Sequence, residues 1–322
     1  MKKVLGMGNA LVDILIQIDN DKILENLELP RGSMQLVDVD RARRVQEATK
    51  EYKRELLSGG SAANTIAGIA KMDIPTAFIG TISKDEMGDV FENELKAIGT
   101  KPLLAYSETQ TGTATTLISA DSERTFATHL GAAIELSPEQ LKKELFQGYD
   151  FFYIEGYLVQ NHDLIRTAVK VAKEEGLKVC LDLASYNVVE ENVDFLHQII
   201  DDYVDVVFAN EEEAKSFTGL EPEEALHYIS DMCEIAVVKV GKKGSMIKKG
   251  DEVFEAGIIK AESIDTTGAG DQYAAGFIYG MAMEKDLAEC GRLGSILAGY
   301  VIQQYGARIL EEKWSEINAM IG

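Results

Sequence analysis

The 322-residue sequence predicts an α/β fold: a doubly wound, mostly parallel sheet flanked by helices. Three observations carry this prediction. Short apolar runs alternate with segments of helical period over most of the length, the pattern of strands buried on both faces between crossover helices. Hydrophobic residues make up 46% and charged residues 27%, enough apolar content for a sizeable core. No repeat, low-complexity stretch or linker divides the chain, and only five prolines occur. A single domain over 1–322 is therefore expected.

The elements read in order as follows. Val4 to Met7 is a strand. Residues 12–18, 34–39 and 113–128 look like strands without a full crossover helix between them. They either extend the central sheet or form a separate lid, which would come from about 12–39 and 106–130. Further strands are expected at Thr76–Gly80, Phe151–Ile154, Lys178–Leu183, Val204–Phe208 and Ile235–Val240, with two short ones after Val240. Between them fall helices at Ala62–Lys71, Gly88–Ile98, Asp163–Glu174, Val193–Ile200 and Glu223–Met232. Ser137-Pro138-Glu139-Gln140 has the capping-box pattern of a helix start. Gly268 then opens an Ala- and Gly-rich helical tract over 271–283, followed by another over 287–304.

Charge and cysteine content exclude several classes. The net charge of −22 argues against tracking a nucleic-acid backbone and against docking on anionic lipid. An anionic ligand must therefore be held by local backbone donors and a few cations. Cys180, Cys233 and Cys290 lie far apart, so neither a disulfide framework nor a thiolate metal site is suggested. No run approaches the roughly 18 uncharged apolar residues of a membrane span. Met1-Lys2-Lys3 leads into only a short apolar run before Asn9 and Asp13, so no secretory signal is expected and the chain reads as cytoplasmic.

Glycine clusters mark the candidate chemistry. Gly6-Met7-Gly8-Asn9 follows the first strand, but a dinucleotide fingerprint needs a third glycine where Leu11 stands. Neither a P-loop lysine motif nor a nucleophile elbow is present. Gly268-Ala269-Gly270 before a helix aims backbone N–H groups and a helix N-terminus at one spot, an anion hole suited to a phosphoryl group. Asp271 stands beside that hole, and a carboxylate there repels its ligand unless it has a proton to accept; a plain helix cap is the alternative. The helix N-terminus favours the carboxylate form, so no raised pKa is expected. Gly59-Gly60 with Asn64 opens another helix and suits close approach to a polyhydroxyl ligand, or is simply a tight turn. Asn210 and Glu213 share one face, to hold water around Mg²⁺ or to suit the helix dipole. Lys239, Gly241 and Gly244 end a strand where nucleotide phosphates could lie.

In this order and spacing the pieces resemble the ribokinase-like (phosphofructokinase B-type) family of sugar and nucleoside kinases, over nearly the whole chain. Gly-Gly-x-x-x-Asn at 59–64, Asn-x-x-Glu at 210–213, Gly-x-x-Gly at 241–244 and Asp-Thr-Thr-Gly-Ala-Gly-Asp at 265–271 are the matching motifs. Gly-Met-Gly-Asn-Ala-Leu-Val-Asp-Ile at 6–14, Glu123-Arg124-Thr125 and Leu130-Gly131-Ala132-Ala133 are most similar to the adenosine kinase branch. The resemblance implies Asp271 as base, with Gly268, Ala269 and Gly270 as the anion hole and Arg124 on the γ-phosphate. It implies Asp13, Gly59, Gly60 and Asn64 on sugar hydroxyls, Asn9 nearby, and Met34 and Leu36 as walls of a base pocket. Lys239, Gly241, Gly244 and Ser295 would line the ATP site, and Asn210 and Glu213 would organise Mg²⁺ through water. Asp265 and Thr267, with Val301, Gln304 and Gly306, match positions that bind K⁺.

The function implied is ATP-dependent phosphorylation of a primary hydroxyl, the 5′-OH of an adenosine-like nucleoside. A kinase of the same family for ribose, fructose or 2-keto-3-deoxygluconate is the nearest alternative. A non-catalytic nucleotide- or sugar-binding regulator is the rival of another class. The expected partners are small molecules, with no nucleic acid or membrane, and the protein itself a monomer or homodimer.

Overall fold

A computed structural model describes residues 1–321. The strands are β1 (Val4–Met7), β2 (Leu11–Gln17), β3 (Met34–Leu36), β4 (Arg54–Gly59), β5 (Thr76–Ser83), β6 (Thr100–Ser107) and β7 (Gly112–Ile118). They continue with β8 (Arg124–His129), β9 (Phe151–Glu155), β10 (Lys178–Asp182), β11 (Val206–Asn210), β12 (Ile235–Lys239), β13 (Ser245–Lys249) and β14 (Glu252–Ala256). A nine-stranded sheet runs in the order β14-β13-β12-β11-β10-β9-β1-β5-β6. Its antiparallel pairs among the described residues are β12 with β13 and β13 with β14. Apolar residues project to both sides, so each face carries its own buried cluster. Val4, Phe78, Tyr153 and Phe208 pack towards the helices Ala269–Ala282 and Leu287–Val301. Leu5, Met7, Phe152 and Val179 pack towards His162–Glu174 and Tyr186–Tyr203.

Strand order reverses beside β1. The chain leaves β1 for β5 and β6 on one side, then returns to β9 on the other. In an open α/β sheet the crevice at such a switch point, outside the carboxyl ends of the strands, is where ligands bind. Here that crevice is spanned by hydrogen bonds from Asn9, just past β1, to Glu155 at the end of β9.

The irregular regions form a separate five-stranded sheet, ordered β3-β8-β7-β2-β4. Its register decides which side chains share a face. Asp13 pairs with Ala114, Ala114 with Thr128, Ile118 with Arg124, and Met34 and Leu36 with Phe126 and Thr128. Because side chains alternate along a strand, Asp13, Arg124, Met34 and Leu36 lie on one face. The opposite face, with Val12, Ile14, Ile16, Leu117 and Ala127, is buried.

Several expectations are corrected. The strand expected over 34–39 ends at Leu36, because Asp38 accepts a hydrogen bond from the Arg41 amide and caps a helix, Val39–Ala48, that the sequence reading missed. β4 was also missed, and it joins the small sheet, whereas residues 106–107 close β6 of the large one. The capping box at Ser137 forms, yet it opens a single 3₁₀ turn, Pro138–Gln140. The buried anchors Leu136, Leu141 and Phe146 around that turn are spaced five apart, a spacing that no single helical face presents. The strand expected from Val204 begins at Val206, since the preceding helix runs on to Tyr203. The last long helix stops at Val301 rather than 304. Among the described residues no helix is long and apolar enough to cross a membrane.

Candidate active site

Parallel register places a row of polar residues at the carboxyl ends of the large sheet's strands. Glu155 lies beside Asp182, and Asn210 beside Lys239. The N-termini of two helices, Ser61–Ala70 and Ala269–Ala282, point into the same crevice and meet at Asp271. Ser61 Oγ donates to Asp271 Oδ1 at 2.7 Å and Asn64 Nδ2 to Asp271 Oδ2 at 3.0 Å. Two glycine clusters about 200 residues apart in sequence thus build one site.

Glycine is required at both helix starts. Gly60 has φ +96°, and a Cβ there would lie 2.2 Å from the Asn9 carbonyl. Gly268 has φ +74°, and a Cβ would lie 2.6 Å from Ala307. Both values fall where L side chains are strained, so only glycine turns the chain into each helix without cost.

The turn before Asp271 presents a different set of free donors from that expected. The Ala269 amide donates to the Thr266 carbonyl at 3.2 Å. Among the described residues the amides of Gly268, Gly270 and Asp271 have no acceptor. Unsatisfied N–H groups at a helix N-terminus attract an anion. Lys239 adds a full charge, because a Cβ on Gly270 would lie 3.2 Å from its Nζ. Lys239 Nζ also pairs with Asp182 Oδ2 at 2.9 Å. Burial works to lower the lysine's pKa, but Asp182, Glu213 and Asp271 raise it, and the net shift is upward. It is therefore cationic at neutral pH.

Asp271 corrects the electrostatic expectation. Burial, helped by the charge of Asp182, raises its pKa from 3.8 to about 6, although Asn64, Ser61 and Lys239 pull it down. Desolvation outweighs the helix N-terminus here. Such a carboxylate is ionised at pH 7 and is a better base than an exposed one. Asp13 and Glu155 are likewise pushed up to about 7, mainly by burial.

The other sequence-predicted residues divide by position. Asn9 is buried, with its amide N and Nδ2 on Glu155 Oε1 at 2.9 and 2.7 Å. Asp13 packs against Gly59, whose Cβ would lie 2.3 Å from Asp13 Oδ1. The exposed Met34 and Leu36 stand on the same face as Asp13. Leu36, but not Met34, lines a cavity of about 570 Å³ with Leu130, Ile134 and Arg43. Gly241 and Gly244, both at positive φ, close a turn after β12 next to Glu211. Ser295 is buried within the Leu287–Val301 helix.

Asn210 and Glu213 satisfy one another. The Asn210 amide and Nδ2 each donate to Glu213 at 2.7 Å, and Glu213 N donates to Asn210 Oδ1 at 2.8 Å. That is a capping box. Burial lifts Glu213 to about 7 against the pull of Lys239. Among the described residues no three His, Cys, Asp or Glu side chains cluster to hold a metal. The pair fits Mg²⁺ only through intervening water. The expected K⁺ ligands do not fit a bound ion as they stand. The buried Asp265 carboxylate accepts from Arg124 Nη1 at 2.5 Å, Thr267 N at 2.6 Å and Gly306 N at 2.9 Å. Arg124 also donates to Thr267 Oγ1. Val301 and Gln304 lie in the adjoining segment, where Gln304 bonds the Arg308 carbonyl.

Sequence reading missed Ser61, Glu155, Asp182 and Arg308. Arg308 Nη2 holds the Ser58 carbonyl and hydroxyl at 2.9 Å, and its charge partly offsets the burial that raises the pKa of Asp13. Ser61 was legible as the first residue of a glycine-marked helix, Glu155 and Asp182 as acids ending apolar strands. Arg308 left no local signal.

Comparison with known proteins matches this geometry to a family. The pfkB family carbohydrate kinase profile matches residues 32–314. The chain belongs to that family. A probable sugar kinase from Rhizobium etli is 33% identical, superposes with a TM-score of 0.88 and is covered to 98%, against 99% of this chain. The adenosine kinase of Sinorhizobium meliloti is 32% identical, with a TM-score of 0.87 and 99% of both chains covered. The 5-dehydro-2-deoxygluconokinase of Bacillus subtilis is 25% identical over 94% of this chain and 97% of its own. This pfkB kinase is thus a phosphotransferase with a hydroxyl acceptor, it has relatives in the adenosine kinase branch, and its family uses ATP.

Proposed function

We propose that this kinase transfers the γ-phosphoryl of ATP to the 5′-hydroxyl of an adenosine-like nucleoside. One observation carries the reading: Asp271, raised to about 6 and aimed by Ser61 and Asn64, stands at a turn with three free amides. Its carboxylate orients the acceptor hydroxyl and takes the proton as the bond to phosphorus forms. The amides of Gly268, Gly270 and Asp271, with Lys239, stabilise charge on the moving phosphoryl. Little proton transfer is needed early in a loose transition state, so positioning and charge neutralisation supply most of the acceleration. Glu213 and Asn210 would hold Mg²⁺ through water, and the ion would supply further neutralisation of the triphosphate's charge. Arg124, which bonds Thr267 beside Gly268, moves onto the γ-phosphate when ATP binds. The five-stranded sheet acts as the lid, and its closure excludes water that would otherwise hydrolyse ATP.

The similarity to an adenosine kinase along 99% of both chains supports the nucleoside reading, as do the apolar walls Leu36, Leu130 and Ile134 on the cavity beside the small sheet. Arg43 on that cavity favours a second reading, an acidic sugar as acceptor. An ADP-release assay with Mg-ATP across nucleosides and sugars separates the two. The highest kcat/KM is expected on adenosine, and a higher value on a free sugar or sugar acid rejects the nucleoside assignment.

A further inference from the structure

We propose that the Arg124 guanidinium is the protein's own cation for the Asp265–Thr267 turn, so that the turn is organised without a bound monovalent ion. The Asp265 side chain is fully buried, at 0% exposure, and a carboxylate removed from water needs a compensating charge. The amides of Thr267 and Gly306 supply dipoles only. Arg124 is the ion-pair partner of Asp265 among the described residues, and its side chain is 19% exposed. The guanidinium is held in place by Thr267 Oγ1 and by the Phe126 ring, whose centroid lies 5.3 Å from its central carbon.

The seat excludes a second cation. An ion on the same carboxylate would stand beside the guanidinium in a site with little water, where like charges repel strongly. Arg124 and a monovalent cation therefore compete for one place, and the ion enters only when the arginine leaves. The consequence reaches the anion hole, because Thr267 directly precedes Gly268, whose φ of +74° aims the free amides. Arg124 comes from β8, so docking of the small sheet orders the turn in the large one.

The inference concerns the ligand-free protein and is independent of which acceptor is phosphorylated. Thermal unfolding is compared in KCl and in tetramethylammonium chloride at equal ionic strength. Wild-type Tm is expected to be the same in both salts. Arg124→Gln lowers Tm in tetramethylammonium, and K⁺ restores it saturably by about 2–4 °C. A saturable K⁺-specific rise in wild-type Tm overturns the proposal, as does an Arg124→Gln protein indifferent to K⁺. Crystals of the wild-type protein soaked in Tl⁺ keep the idea falsifiable should the variant not fold. Anomalous density at Asp265 with Arg124 still seated would sink it, and no such density is expected.

Discussion

The two sheets contribute to the site by different physical means. In the large sheet, parallel register and two glycine-turned helix N-termini lock the polar groups in place. Asp271 is held by Ser61 and Asn64, Lys239 by Asp182, and Asn9 by Glu155. In the small sheet, alternation along β2, β3 and β8 presents Asp13, Met34, Leu36 and Arg124 from one face, and Met34 and Leu36 remain exposed. The first region is preorganised for charge, the second offers contacts that a ligand or a closing movement must complete. Chemistry should therefore fail when the large-sheet residues or the mobile cation Arg124 change, and binding when the other small-sheet residues do.

The sharpest way to break that contrast is Asp271→Asn. The fold is expected to survive by circular dichroism, while kcat falls by about 10³-fold or more. Near-normal turnover would move the base elsewhere. Arg124→Ala comes next, with a loss of about 10²-fold expected mainly in kcat because it neutralises transferring charge. An effect confined to acceptor KM would give Arg124 the binding role of the other residues on its face instead. Gly60→Ala forces a side chain into a strained conformation against the Asn9 carbonyl and should cost about 2–3 kcal/mol in denaturant unfolding. A loss below about 0.5 kcal/mol would show that the turn is not rigid.

Acidity sharpens the comparison further. Loss of the Asp271 carboxylate as pH drops through about 6 should lower kcat/KM about tenfold per unit. Stability runs the other way. Asp271 binds its proton more tightly folded than unfolded, so the folded state is favoured at low pH, and stability falls as pH rises from about 4 to about 6. Asp271→Asn should therefore raise stability at pH 8 by on the order of 2 kcal/mol and leave it unchanged near pH 4. A Tm shift of the same size at both pH values would contradict a buried, destabilised carboxylate. The smallest effect is expected at Leu36→Ala, a few-fold rise in acceptor KM with kcat and Tm nearly unchanged, since the side chain is 64% exposed. A large drop in kcat there would erase the distinction between the two faces.

How much was legible follows the same division. The motifs at 59–64 and 265–271 mark both helix starts, because positive φ and close approach leave glycine as the workable residue, and that requirement is written locally. β4 and the Val39–Ala48 helix were not legible. Arg54–Gly59 has little apolar alternation, and the helix is mostly charged on its exposed side. At Ser137 the local capping signal was correct, yet apolar anchors spaced five apart around it ended the helix after one turn.

The chain by itself determined the alternation of strand and helix, the two glycine turns and the acid that follows the second, because these rest on periodicity and backbone sterics between near neighbours. Only the tertiary structure decided that Ser61 would hold Asp271, that Arg124 would rest on Asp265, and that burial would lift Asp271 above its ordinary acidity. Those outcomes depend on which distant groups share a desolvated space. That depends on how the two sheets pack, and no local pattern of residues records it.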